Sequence, residues 1–287
     1  MFLEYKGTFR ATRIYEETPS ANGFHPHRNR RREIAVFLGV AFGASILLSL
    51  VIGLSGGSAS SLLPLAPLTM FVPALAVLAV RKTTSARLDV DGMYLPLRGL
   101  PAVLFLLPFA IHAICLPGVF FLEGKLPWIA VSWPRVVLNA IAGLLVVSFL
   151  AFFEEIGWRA FLLPRLADRF GMRRAAALSA AIWGLWHIPY SLSGILHVEN
   201  VSRLGLAIVH PMGTFGAGLF LALLWFRTGS LPLVSLAHGA FNNWGQFAFK
   251  YMKISGQHDL TLLVLVAIAA LAVGIGALAR IPSSASE

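Results

Sequence analysis

"VVLNAIAGLLVVSFLAFFEEIGWRAFLL", residues 136 to 163, decides the fold, because no charge interrupts residues 136 to 153. A helix needs roughly 20 mostly apolar residues to cross the hydrocarbon core of a bilayer. The rest of the chain repeats the pattern: of 287 residues, 57% are hydrophobic and 13% charged, and the mean hydropathy is +0.76. Further apolar stretches lie near 34–54, 62–80, 99–121, 174–196, 204–226, 231–250 and 260–280. These are too long and too frequent for the core of a water-soluble domain. The expected fold is all-α, a polytopic transmembrane helix bundle of about eight spans. The fifth and seventh spans carry polar groups in "WGLWHIPY" and "AHGAFNNWGQF", which places them inside the bundle and away from lipid.

A net charge of +10 raises the question of nucleic acid, but the basic residues follow the membrane. Arg28, Arg30, Arg31 and Arg32 precede the first span; Arg81, Lys82 and Arg87 follow the second; Arg165, Arg169, Arg173 and Arg174 separate the fourth from the fifth. The intervening loops carry few, such as Lys125 and Arg135 between the third and fourth spans. By the positive-inside rule, both termini and the basic loops face the cytoplasm of what is expected to be a bacterial inner membrane. A nucleic-acid site would need a folded soluble domain with charge on one face, and no segment offers one. Residues 1–33 are polar and lack the apolar core of a signal peptide; a mobile cytoplasmic tail is expected there, followed by the bundle at 34–281. Cys115 is the single cysteine, which excludes an intrachain disulfide and a multi-cysteine metal site.

Of the 13 acidic residues, only Glu154 and Glu155 lie deep in an apolar stretch. A carboxylate there costs a few kcal/mol or more, so it points to function. Positions four apart share a helix face, whereas neighbours point about 100° apart. Glu155 can therefore pair with Arg159, while Glu154 faces elsewhere as an unpaired, titratable group suited to general acid–base work. A buried network that only locks helix packing is the structural alternative.

Two further polar clusters join it. His187 in the fifth span is followed by Pro189, whose missing N–H frees carbonyls and makes room for water. His238 and Asn242 in the seventh span are spaced i, i+4 and project from one face, equipment for a developing oxyanion or for helix-to-helix hydrogen bonds. At 1.5 Å per residue, Glu154 lies about 27 Å along a span entered from outside. His187 and His238 lie roughly 20 Å and 10 Å along spans entered from the cytoplasm. All three depths are compatible with one site in the cytoplasmic half of the bilayer.

Glu154-Glu155-x-x-x-Arg159, then Trp183-x-x-x-His187, then His238-x-x-x-Asn242, in that order on successive helices, resembles the CPBP or Abi family over about residues 136–250. That family includes the CAAX prenyl endopeptidase and bacterial proteins linked to bacteriocin processing and immunity. Trp183 departs from the phenylalanine the family more often has. The resemblance implies that Glu154 and His187 activate a water for attack on a peptide bond. It also implies that His238 and Asn242 stabilise the oxyanion, and that Glu155 and Arg159 brace the site. The implied partners are a peptide or lipidated peptide substrate and the lipid bilayer, with no cofactor; the oligomeric state is not set by any feature of the sequence.

Rival chemistries have weaker spacing. Zinc on Glu154, His187 and His238, with His210 of the sixth span as a spare ligand, is the alternative metal site, yet there is no H-E-x-x-H and no i, i+4 histidine pair. "GLSGG" at 53–57 matches G-x-S-x-G only formally, since Ser55 has no strand-to-helix turn and falls at the outer end of the first span. A transporter or a non-enzymatic immunity or scaffold protein could also carry buried Glu, Arg and His, although no internal repeat supports a transporter.

Overall fold

A computed structural model describes residues 26–84, 93–95, 116–128, 132–245 and 251–283. Helix α1 spans Pro26–Leu54, a 3-10 stretch Leu63–Phe71 leads into α2, Val72–Thr83, and residues 116–123 form a helix. Helix α3 is Trp133–Glu155, a π-helix covers Ile156–Leu162, and α4 is Leu163–Phe170. Then come α5, Met172–Trp186, the short α6, Ile188–Leu192, α7, Arg203–Thr228, α8, Leu231–Gly245, and α9, Asp259–Ala279. Among the described residues there is no strand beyond one isolated bridge, Trp128 to Met252.

Five stretches among the described residues are long and apolar enough to cross a membrane: Arg30–Leu54, Leu63–Thr83, Trp133–Phe170, Arg203–Thr228 and Gly256–Ala279. They coincide with five of the expected spans, and the protein is an all-α polytopic bundle. Most of the expected third span, with Cys115, lies outside the described residues, as do 246–250 at the end of the seventh. The first helix starts at Pro26, ahead of the expected boundary at 34; the remainder of the expected tail, 1–25, is outside the description. The expected fifth span is not one helix. It breaks at His187 into α5 and α6, because Pro189 has no N–H to continue the ladder, and His187 N–H turns back to Gly184 O in a tighter 3.1 Å bond.

The π-helix has a related cause. Leu163 N–H donates to Trp158 O, five residues back, and the next residue, Pro164, can neither donate nor admit a carbonyl beneath its ring. The turn after the two glutamates is thereby widened. Single-turn π segments of this kind occur frequently at functional sites.

Helix α7 is the centre of the bundle: 61% of its apolar window is buried, against 17–39% for the other four. Small residues let backbones approach without a hydrophobic driving force from lipid. A Cβ on Gly216 of α7 would stand 2.4 Å from the carbonyl of Ala270 in α9, and one on Gly239 of α8 would fall 2.7 Å from the Ser148 backbone of α3. The second approach seats α8 against the end of α3, which brings His238 to Glu155. Large apolar side chains remain exposed on the outer helices, among them Leu47, Leu50, Leu138 and Leu145, the surface that lipid covers.

Ion pairs mark the two ends of the bundle. At one, Arg30 pairs with Asp168, Arg165 Nε donates to Glu33 at 2.7 Å, and Arg173 Nε donates to Ile281 O at 3.0 Å. The start of α1, the basic loop after residue 164 and the C-terminal end thus share one side, as the alternation of charge requires. At the other, Glu123 accepts from Ser255 N–H at 2.7 Å and from His258 Nδ1 at 2.9 Å. These two bonds, the His258 one foremost, hold the Glu123 carboxyl below its ordinary range. A folded pKa lowered in this way contributes stability that is complete above about pH 4.5 and is lost as pH falls through the folded value. The protection of the amides at residues 251–258, taken relative to the intrinsic exchange rate at each pH, is therefore expected to fall on acidification from pH 6 to pH 3. Glu123→Ala should show low protection at both pH values, and equal pH dependence of protection in the two proteins would refute the clasp.

Candidate active site

Helix α3 delivers both glutamates into the interior, where Glu154 is 3% exposed, Glu155 0%, Arg159 1% and His238 1%. Arg159 Nη1 donates to Glu155 Oε1 at 2.9 Å, so the expected i, i+4 pair forms despite the wider π turn. His238 Nδ1 lies 2.7 Å from the same Oε1. A carboxylate oxygen accepts, so Nδ1 carries the proton. Glu155 Oε2 has no partner among the described residues. One buried carboxylate thus ties together a cation from its own helix and an imidazole from α8.

Glu154 points differently, as a neighbour on a helix must. Its Oε2 accepts from the indole Nε1–H of Trp183 at 3.0 Å, and no cation contacts it among the described residues. Trp183 is the hub of the site. The Arg159 guanidinium lies 4.4 Å over its ring, a cation–π geometry, and the His238 ring meets it edge-on at 4.9 Å. Phenylalanine at this position would keep the ring contacts and lose the bond to Glu154.

His187 donates through Nδ1 to Trp183 O at 2.7 Å. A carbonyl can only accept, which leaves Nε2 as a bare lone pair. Beside it lies a cavity of ≈ 700 Å³ walled by Trp183, His187, Tyr190, His210 and Asn242, with apolar side chains such as Leu263 and Val266 of α9. Neither Glu154 nor His238 is on its wall; Glu154 stands one side chain behind it, bonded to Trp183.

The expected residues therefore come together in two connected layers. Glu155, Arg159 and His238 form a buried cluster, His187 and Asn242 face the cavity, and Glu154 joins the layers through Trp183. His238 and Asn242, expected to present donors from one face, are divided between the layers. Four positions on a helix still differ by about 40° in direction, enough to send one side chain to Glu155 and the other to the cavity. The sequence did not reveal the Trp183 bond to Glu154 or the place of Ser191, whose Oγ is 3.1 Å from His210 Nδ1. Histidine within an apolar span was the only available signal for His210. Among the described residues, no three His, Cys, Asp or Glu side chains converge as metal ligands. In the alternative zinc set His238 would have to bind through Nε2, because Glu155 holds its Nδ1–H.

Comparison with known proteins agrees with this region. The family model for type II CAAX prenyl endopeptidases, Rce1-like, matches residues 134–244. The curated protein "CAAX prenyl protease 2" of Methanococcus maripaludis is 30% identical over 81 residues, 28% of this chain and 27% of the relative. The match thus spans about a quarter of that relative's length. All the motif residues, from Glu154 to Asn242, lie within the segment that the family model matches, and that segment is similar to the Rce1-like type II CAAX prenyl endopeptidases.

Proposed function

We propose that the protein is an intramembrane endopeptidase that hydrolyses a peptide bond with a water activated by Glu154 and His187. The observation that carries this reading is the placement of a buried carboxylate without a counter-ion directly behind a cavity wall that bears a bare imidazole Nε2. One Glu154 oxygen is held by Trp183, and the other is free to take a proton. Water that passes Trp183 from the cavity to reach Glu154 gives that proton to the carboxylate, with His187 Nε2 accepting a hydrogen bond from the same water. The hydroxide adds to the scissile carbonyl. The developing oxyanion takes a hydrogen bond from the Asn242 amide on the wall, while His238, behind the wall and held at Nδ1 by Glu155, braces the site from the buried cluster. Collapse of the intermediate breaks the C–N bond, and the proton held by the Glu154–His187 pair passes to the leaving amine.

The substrate class follows from the setting and the relative's name: a membrane-associated peptide, with a prenylated C-terminal peptide and a bacteriocin leader as the two candidates. The expected orientation puts both termini in the cytoplasm, so that Ser58, His197 and Val198 of the cavity wall stand at the outer ends of the first and fifth spans. The test is cleavage of a pool of membrane-associated and prenylated peptides by purified protein, wild type beside Glu154→Gln, with and without chelator. Cleavage by wild type alone and insensitive to chelator supports the reading. Loss in chelator moves it to zinc chemistry, and no cleavage at all favours a non-enzymatic immunity, scaffold or transport role. Asn242→Ala is expected to lower kcat by roughly 10²–10³ if Asn242 is an oxyanion donor; an unchanged rate removes it from the mechanism.

A further inference from the structure

We propose that His210, held by Ser191, is a substrate-binding residue of the cavity, presenting Nε2 as a hydrogen-bond acceptor to a backbone N–H of the bound peptide. This rests on the peptidase reading and adds to it a residue that none of the three motifs contains.

His210 sits within α7 one residue before Pro211, and its ring meets that of His187 at 4.8 Å between centroids. Both rings lie on the cavity wall. Ser191 Oγ donates to His187 O at 3.2 Å, the back-bond to residue i−4 that serine makes in a helix. A hydroxyl has one proton, so Oγ then accepts at its other contact, and His210 Nδ1 must be the donor. The second nitrogen, Nε2, is thereby fixed as a lone pair with no partner among the described residues.

Two histidines therefore face one cavity in the same tautomer, and their surroundings differ. His187 adjoins Trp183 and so Glu154; His210 continues the wall beside His187, together with Val209, Leu206 and the apolar side chains of α9. An extended peptide entering this space leaves water, and each buried N–H left without an acceptor weakens its binding. Apolar walls provide no acceptor. The Nε2 atom of His210 does, at a fixed distance from the catalytic imidazole, so that it sets the register of the peptide against His187.

Such a bond is made equally in the bound substrate and in the transition state, and its loss raises KM with kcat unchanged. The experiment is steady-state kinetics on the best-cleaved farnesylated peptide of the pool with wild type, His210→Leu, His210→Gln and Ser191→Ala. His210→Leu should raise KM roughly three- to tenfold, the range for one neutral hydrogen bond, with kcat within about twofold. Glutamine places an amide oxygen near the former Nε2, so His210→Gln should restore most of the affinity. Ser191→Ala keeps the imidazole and frees its tautomer, and should raise KM by a smaller factor. Unchanged KM in His210→Leu, a fall in kcat with KM intact, or no recovery with glutamine would overturn the proposal. Should His210→Leu fail to fold, an unchanged KM in Ser191→Ala overturns it alone. Wild type that cleaves no peptide of the pool defeats the peptidase reading and this proposal with it, whereas normal cleavage by every variant removes His210 only.

Discussion

Glu154→Gln is expected to reduce turnover by about 10²–10⁴-fold or more, to background, while the protein expresses and melts almost as wild type. Both halves of this expectation come from the same geometry. Glutamine has the shape of glutamate and keeps an oxygen that can accept the Trp183 N–H, so the bond seen at 3.0 Å survives. No cation contacts Glu154 among the described residues, so neutralising it strands no buried charge, and the cost in stability should stay within about 1 kcal/mol. The proton acceptor is lost entirely, since an amide oxygen cannot take a proton from water near neutral pH. The check is kcat and the thermal midpoint measured on the same preparation in the same detergent. A variant that melts much lower would mean that Glu154 is structural, and retained turnover would exclude it as the base.

The layout of the bundle could be read from the sequence because its determinants are local. Hydropathy runs locate α1, α3, α7 and α9, and the i, i+4 rule gives the Glu155–Arg159 pair, since each depends only on residues within one helix. What escaped reading depends on contacts between helices. Nothing near Trp183 in sequence marks its indole as the donor to Glu154, 29 positions away, and nothing near His238 announces Glu155, 83 positions away. The π-helix at Ile156–Leu162 also escaped, although Pro164 was a local signal that the ladder fails there. Periodicity counted at 3.6 residues per turn drifts across that segment, so the residues after it face other directions than an uninterrupted α-helix would give them. His238 and Asn242 are the instructive pair. The spacing rule correctly puts them on one side of a helix, but an interior site distinguishes directions 40° apart, and one went to the buried cluster while the other went to the cavity.

The same contrast sets the second large effect. Arg159→Ala is expected to cost on the order of 3–5 kcal/mol of stability, the range for removing one partner of a buried ion pair. The pair itself is not the main term, because desolvating both ions offsets most of their attraction. The loss arises from what remains: Glu155, fully buried, which among the described residues has Oε2 unpartnered and His238 alone left at Oε1. Arginine also lies over the Trp183 ring, so its removal loosens the side chain that holds Glu154, and activity should fall along with stability. Arg159→Lys keeps the charge but not the planar guanidinium that stacks on the indole, and an intermediate loss is expected. The decisive comparison is a double-mutant cycle with Glu155→Gln, read as melting in detergent. If the stranded carboxylate causes the loss, the double variant will be markedly more stable than Arg159→Ala alone. Additive losses would instead place the effect in packing against Trp183, and a thermal midpoint equal to that of Glu154→Gln would erase the division between a catalytic glutamate and a structural one.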